Sequence, residues 1–164
     1  MEATAFEDYT IGSTRESFGR TITEADLVAH AGHTGDFFPH HVDEEFARST
    51  PFGGRIAHGT LVLSVGIGLL AREINPLSFS YGYERLRFVR PVMIGDTIRT
   101  RATIMGKQDD PKRMDHGRII ERCEIVNQRN EVVLVADHIR MVQRRTPAGG
   151  SQPGAAQSRI DQLS

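Results

Sequence analysis

Two short stretches hold most of the residues able to move protons. Gly35-Asp36-Phe37-Phe38-Pro39-His40-His41 sets a carboxylate and an imidazole five positions apart, and Ile56-Ala57-His58-Gly59-Thr60-Leu61 follows after a short gap. Of the seven histidines, His30, His33, His40, His41 and His58 precede or open one apolar run, and only His116 and His138 lie elsewhere. Clustering in loops ahead of a buried helix favours a site, because loops on a rigid scaffold often carry function.

Two chemistries compete for this cluster. In one, histidines and an aspartate ligate a metal, since a 2-His-1-carboxylate set holds iron or zinc. His30 and His33 would share a helix face, but no His-Glu-x-x-His or similar signature is present and the spacing is generic. In the other, Asp36 and His41 act directly on one water. Adding water to a double bond conjugated to a carbonyl needs a base for the water, an acid for the neighbouring carbon and stabilisation of an enolate oxygen. An aspartate and a histidine supply both proton transfers. Phe37, Phe38 and Pro39 would surround them with apolar surface, excluding bulk water and making the aspartate more basic. Backbone amides at the start of the following helix, near Gly59, would receive the negative charge.

Each residue also has a plainer role. Asp36 can stabilise its own loop, as aspartates commonly do. His58 can hydrogen-bond across the loop rather than react, Gly53 and Gly54 can serve only their turn, and Ser64 can be a small packing residue on a buried helix. Taken singly, the plain role prevails for all except the Asp36–His41 pair.

The elements that must position these residues are legible from periodicity and punctuation. Residues 14–21 form a first strand, and Thr23-Glu24-Ala25-Asp26 resembles a capping box opening a helix to about residue 31. Residues 32–41 are a loop. Residues 42–48 read as one or two helical turns, with Asp43 as cap and Phe46 facing inward. The best helix runs from about residue 57 to 74, stopped by Asn75-Pro76. It is apolar nearly all round, so burial rather than amphipathic exposure is expected. Its glycines each cost about 1 kcal/mol against alanine, which close packing on a sheet would justify. The period then changes to two. Leu86 and Phe88 alternate with Arg85 and Arg87, while Ile98, Thr100, Ala102 and Ile104 alternate with polar neighbours across a turn at Ile94-Gly95-Asp96. Residues 106–112 form a polar loop, and two strands follow over 114–127 and 131–144. One helix and a meander of strands indicate an α+β domain with its sheet wrapped on the helix.

Composition sets outer limits. At 164 residues the chain fits one domain, here 1–145, followed by a Gly-, Ala-, Ser-, Gln- and Pro-rich tail over 146–164 that reads as disordered. A net charge of −1 argues against a nucleic-acid partner, which selects a concentrated basic face. One cysteine, Cys123, excludes an internal disulfide and a cysteine-rich zinc site. The N-terminus lacks the basic start and apolar run of a secretion signal, and the longest apolar segment, 61–71, is too short for a bilayer. A cytoplasmic protein without membrane contact is expected.

Three motifs together carry a family resemblance. Asp36-x-x-Pro39-x-His41, then Phe52-Gly53-Gly54-Arg55-Ile56-Ala57-His58-Gly59, then Phe88-Val89-Arg90-Pro91-Val92-Met93-Ile94-Gly95-Asp96, resemble the MaoC-like dehydratases, which include the (R)-specific enoyl-CoA hydratases. The resemblance runs from about residue 6 to 143. It implies a hotdog fold, a curved antiparallel sheet around a long central helix, paired into a homodimer or higher homo-oligomer with a continuous sheet. It implies a hydro-lyase acting on a thioester of coenzyme A or an acyl carrier, with no metal or redox cofactor. Asp36 and His41 match the family's catalytic pair, Ser64 falls where many relatives carry a serine contacting the site, and Gly59 lies near the expected oxyanion amide. Phe38 and Pro39 would border the substrate. The chain departs from the pattern at Phe38, where many relatives carry asparagine, and at His40, where they often carry an aliphatic residue. A thioesterase on the same fold and a non-catalytic acyl-thioester binding module are the alternatives.

Overall fold

The computed structural model describes residues 3–71 and 75–145. The tail expected over 146–164 and the end of the helix expected at 72–74 lie outside the described residues.

Strands β1 (Thr14–Glu16) and β2 (Arg20–Thr21) replace the single first strand expected over 14–21, and both pair with β4. Thr23 caps α1 (Glu24–Thr34) through the expected box, its hydroxyl accepting from Asp26 N–H while the Asp26 carboxylate accepts from Thr23 N–H. The helix runs three residues further than periodicity indicated. It ends at Gly35, whose φ of 77° is the left-handed conformation glycine adopts without strain. The segment expected as loop therefore holds the end of α1 and a single turn, α2 (Pro39–Val42), with the proline at its first position. Asp43 caps α3 (Glu44–Ser49), accepting from Phe46 N–H at 3.0 Å. Phe46, expected to face inward, is exposed, and Ala47 is the residue this turn buries.

Helix α4 (Gly59–Leu70) begins two residues later than expected. It is not buried all round. Thr60, Ser64 and Gly68, four residues apart, form an open stripe along one side, while Leu61, Val62 and Gly66 face the sheet. Gly66 marks the closest approach: a Cβ there would lie 2.1 Å from Ile125 Cδ1. Its carbonyl accepts from the buried Thr100 hydroxyl at 2.8 Å.

After α4 come β3 (Ser78–Phe88), β4 (Thr97–Asp109), β5 (His116–Val126) and β6 (Val132–Gln143), all pairing antiparallel in the order β1-β4-β5-β6-β3. The alternation of β4 holds, with Ile98, Thr100, Ala102 and Ile104 buried. The polar loop expected from residue 106 instead continues β4 to Asp109, with a register shift between Ile104 and Gly106. The main core lies between α4 and the sheet, built from residues such as Leu61, Val62, Ile98, Ile125 and Leu134, with Ile22 and Leu27 closing one end. The architecture is α+β, a sheet curved about one helix.

Candidate active site

Three backbone ties bring the two proton-bearing stretches together. Ile56 N–H donates to the His40 carbonyl at 3.1 Å, Ala57 N–H to the Val92 carbonyl at 2.7 Å, and Ile56 bridges Met93. The segment before α4 is thus clamped between the α2 turn and the segment following β3. His41 and the first residue of α4 are positioned as a consequence.

His41 is buried, and its Nδ1–H donates to the Ile56 carbonyl at 2.7 Å. That bond fixes the tautomer, because a carbonyl only accepts; the neutral ring then presents a lone pair at Nε2. Burial holds the imidazole below its ordinary pKa, opposed by the Ile56 hydrogen bond, while the neighbouring His58 and His40 push the same way as burial. Nε2 is therefore a proton acceptor at neutral pH.

His58 is 1% exposed and stacks on His41, with ring centroids 3.7 Å apart and planes 22° from parallel. Its Nε2–H donates to the Asp36 main-chain carbonyl at 2.9 Å, the bond across the loop that the sequence suggested. Its Nδ1 is buried with no hydrogen-bond partner among the described residues. On the other side His30 packs at 4.8 Å, its Nε2 2.9 Å from the Thr60 hydroxyl. Burial, then His58 and His33, lower the His30 imidazole as well.

Asp36 completes the group. Ligating atoms of Asp36, His41 and His58 all lie within 4.8 Å of one another, whereas the metal pair envisaged from sequence, His30 and His33, is not part of any such set among the described residues. The carboxylate also accepts from Phe38 N–H at 3.2 Å, the loop-stabilising role expected of an aspartate. The apolar screen expected around it does not form: Phe37 and Phe38 are 60% and 54% exposed, and Asp36 itself is exposed.

A cleft of about 360 Å³ opens beside His41 and is lined also by His40, Phe52, Gly59, Phe88 and Arg90. Gly59 stands at the N-terminus of α4, where no side chain caps the helix. Its first amides lack intrahelical acceptors and carry the positive end of the helix dipole. Of the expected site residues, then, His41 and Gly59 share the cleft, and Asp36 stands beside His41 without lining it. Phe38, Pro39 and Ser64 do not line the cleft; Ser64 sits on the open stripe of α4, one turn beyond Thr60, because the helix presents its other side to the sheet.

A second polar group lies under the far end of α4, where Glu121, Cys123 and His138 approach one another. It is arranged for structure. Arg15 and Arg140 pair with the Glu121 carboxylate, and His138 Nε2 is 2.8 Å from the Ser80 hydroxyl. Burial, reinforced by the Glu121 charge, pushes the Cys123 thiol up to about 12, which leaves it un-ionised and unreactive.

The MaoC like domain description matches residues 7–120, well over half of the chain. The chain belongs to the MaoC-like domain family. Among its relatives, 3-hydroxybutyryl-CoA dehydratase of Methylorubrum extorquens is 32% identical over 143 residues, 87% of either chain. The (R)-specific enoyl-CoA hydratase of Rhodospirillum rubrum is 36% identical over 65% of this chain and 74% of that one. Protein MaoC of Klebsiella aerogenes is 40% identical over 62% of this chain, a stretch spanning 31% of that longer protein. Among solved structures, the monoamine oxidase regulatory protein of Archaeoglobus fulgidus superposes with a TM-score of 0.83 at 37% identity, over 88% of this chain and 97% of that one. A Mycobacterium tuberculosis protein described as a double hotdog fold matches with a TM-score of 0.75 at 24% identity, over 99% of this chain and 52% of that one. The MaoC-like chain is accordingly a hotdog.

The bond across the loop expected of His58 is formed; what the sequence reading did not contain is the stacking of its ring on His41. The available signal was its place immediately before Gly59 at a helix start, the position from which a ring reaches back over the preceding loop.

Proposed function

We propose that this MaoC-like chain is a hydro-lyase, adding water reversibly across the double bond of a trans-2-enoyl thioester to give a 3-hydroxyacyl thioester. The observation that carries this reading is the buried His41 imidazole, a ring nitrogen of which lies within 4.8 Å of the Asp36 carboxylate, on a cleft that Gly59 at the uncapped start of α4 also lines. Water attacks C3 as Asp36 takes one of its protons. C2 receives a proton through His41, and the enolate oxygen that develops between these events is met by the amide near Gly59. Losing one donor of that kind typically costs about 100- to 1,000-fold in rate. Relatives named for hydration or dehydration of acyl-CoA esters support the reaction.

The chemistry needs only proton transfers by Asp36 and His41, so no resident metal or redox cofactor is proposed; activity unaffected by chelation, with no stoichiometric metal by elemental analysis, is the expected result. The thioester carrier is coenzyme A or an acyl carrier protein. Arg90 lines the cleft, its guanidinium donating to the Val132 carbonyl with its charge felt by Glu131, and it is the cationic group there that could meet a phosphate. Strand β3 is a sheet edge with Phe79, Tyr81 and Tyr83 exposed, which supports pairing of two copies along it; light scattering would show a dimer or larger species. Among the described residues no helix is long and apolar enough to cross a membrane. We place the enzyme in the cytoplasm, with coenzyme A thioesters; cell fractionation tests this.

The deciding assay follows loss of the conjugated enoyl absorbance with crotonyl-CoA and longer esters. Asp36→Asn and His41→Ala are expected to abolish hydration with folding intact. Wild-type-like turnover in either would reject the assignment. Thiol release in the same cuvette would mark a thioesterase, and binding without turnover an acyl-thioester binding module.

A further inference from the structure

His41 has a partner that the reaction above leaves unused. Its Nε2 lies 2.9 Å from Nε2 of His40. With Nδ1–H committed to the Ile56 carbonyl, the neutral His41 ring offers only a lone pair there, so the shared proton belongs to His40. The rings meet edge to face at 4.0 Å. His40 is half-buried, lines the cleft and packs on Phe38 at 4.6 Å and Phe52 at 6.0 Å. It touches the working nitrogen of His41 on one side and the open cleft on the other.

Hydration requires one group ready to take a proton and one ready to give one. In the resting site the Asp36 carboxylate and the His41 lone pair are both acceptors. We propose that His40 is a positioning residue that loads His41 with the proton delivered to C2. A solvent proton binds His40 Nδ1; the His40 Nε2–H bond breaks as an N–H bond forms at His41 Nε2; His40 is left neutral with its proton on Nδ1. Substrate entering the cleft displaces His40. His41, an imidazolium anchored through Nδ1, gives its Nε2 proton to C2 while Asp36 takes a proton from the attacking water. The exposed Asp36 returns that proton to solvent, and exchange with cleft water restores the proton to His40 Nε2. One proton enters and one leaves per turnover. This role rests on the hydro-lyase reading.

The test compares wild type, His40→Gln, His40→Ala and His41→Ala on crotonyl-CoA, with and without added imidazole. Glutamine still offers an N–H to His41 Nε2 but cannot relay a proton. Both His40 variants are expected to lose kcat by roughly 10- to 100-fold, the low end of general acid–base effects, with KM within about twofold. Imidazole should restore His40→Ala several-fold and leave His41→Ala inactive. Wild-type kcat in His40→Gln, or a loss in His40→Ala that imidazole does not relieve, would overturn the loading role alone. Nitrogen-15 spectra of the imidazoles in substrate-free protein give an independent reading. The His41 Nε2 signal should move in His40→Ala, and an unmoved signal would remove the contact on which the role depends. A wild type inactive across the enoyl panel would overturn the hydro-lyase reading, and the loading role with it.

Discussion

Replacing Gly66 with alanine tests how α4 is seated on the sheet, and three distances set the size of the effect. The added Cβ would lie 2.1 Å from Ile125 Cδ1, 2.7 Å from Ile125 Cγ1 and 3.1 Å from the Thr100 hydroxyl. Carbon atoms in contact normally stand about 3.5–4.0 Å apart, so helix and strand must separate by more than ~1 Å or Ile125 must leave its rotamer. Ile125 and Thr100 are both 0% exposed and have nowhere to swing. Overpacking of this kind costs about 1–3 kcal/mol. Alanine returns roughly 1 kcal/mol of helix propensity against glycine. The expected balance is a loss of up to about 2 kcal/mol in urea denaturation at fixed protein concentration, followed by circular dichroism. Ile125→Val removes Cδ1 and alone should cost about 0.5–1.5 kcal/mol. Combined with Gly66→Ala it should cost less than the two single losses added, by roughly 1 kcal/mol, because the deleted methyl is the one struck. Turnover should suffer more than stability, since α4 carries Gly59 and a displacement of about 1 Å at a reacting centre can cost 100-fold. A Gly66→Ala protein more stable than wild type would show propensity winning, and would refute the close seating.

Two further outcomes follow from the histidines. His58→Phe keeps a ring over His41 but removes the N–H that holds the Asp36 carbonyl; kcat on crotonyl-CoA should fall by about 10- to 100-fold, with about 1 kcal/mol lost in the urea titration, and unchanged kcat would return His58 to a packing role. Burial, then the charges of Arg140 and Arg15, lower the His138 pKa to about 4. An unfolded imidazole protonates near 6.5, so the unfolded chain takes up a proton the native state refuses as pH falls from about 6.5 to 4. The stability contribution is present above that window and lost on descending through it, on the order of 3 kcal/mol in all. His138→Gln should flatten the urea midpoint across it, and an identical slope in the variant would contradict the assignment.

The parts of this molecule that were legible in its sequence are those governed by local rules. The Thr23–Asp26 box depends on residues three apart, and the alternation of β4 depends on a single strand facing one core. Elements set by tertiary context were misjudged. α4 looked wholly buried because its open stripe is made of Thr60, Ser64 and Gly68, too small and too weakly polar to register against leucine and valine. Phe46 was placed inside on hydrophobicity alone, yet α3 is a short turn and buries only Ala47. Asp36 and His41 could be paired from the sequence because five residues separate them, and the structure places them together; His58 comes to stack on His41 only after the chain has left through α3 and returned.

The buried Nδ1 of His58 shows why that return matters. A polar atom buried without a partner costs about 1–3 kcal/mol, and natural proteins keep few of them. The ring could not relieve the cost by turning over, because that would withdraw Nε2–H from the Asp36 carbonyl and set a carbon there instead. Nor could it tilt without losing its face-on contact with His41 at 3.7 Å. One orientation therefore serves the Asp36 peptide and the His41 ring together, and leaves Nδ1 without a hydrogen-bond partner among the described residues. The same logic runs along the whole file of imidazoles. His30 backs His58, His58 backs His41, and His41 is fixed at Nδ1 by Ile56, so every ring is held by contacts that leave His41 Nε2 as the atom turned toward His40 and the cleft. The orientation of His58 is thus tied to a single nitrogen whose direction the proposed reaction depends on.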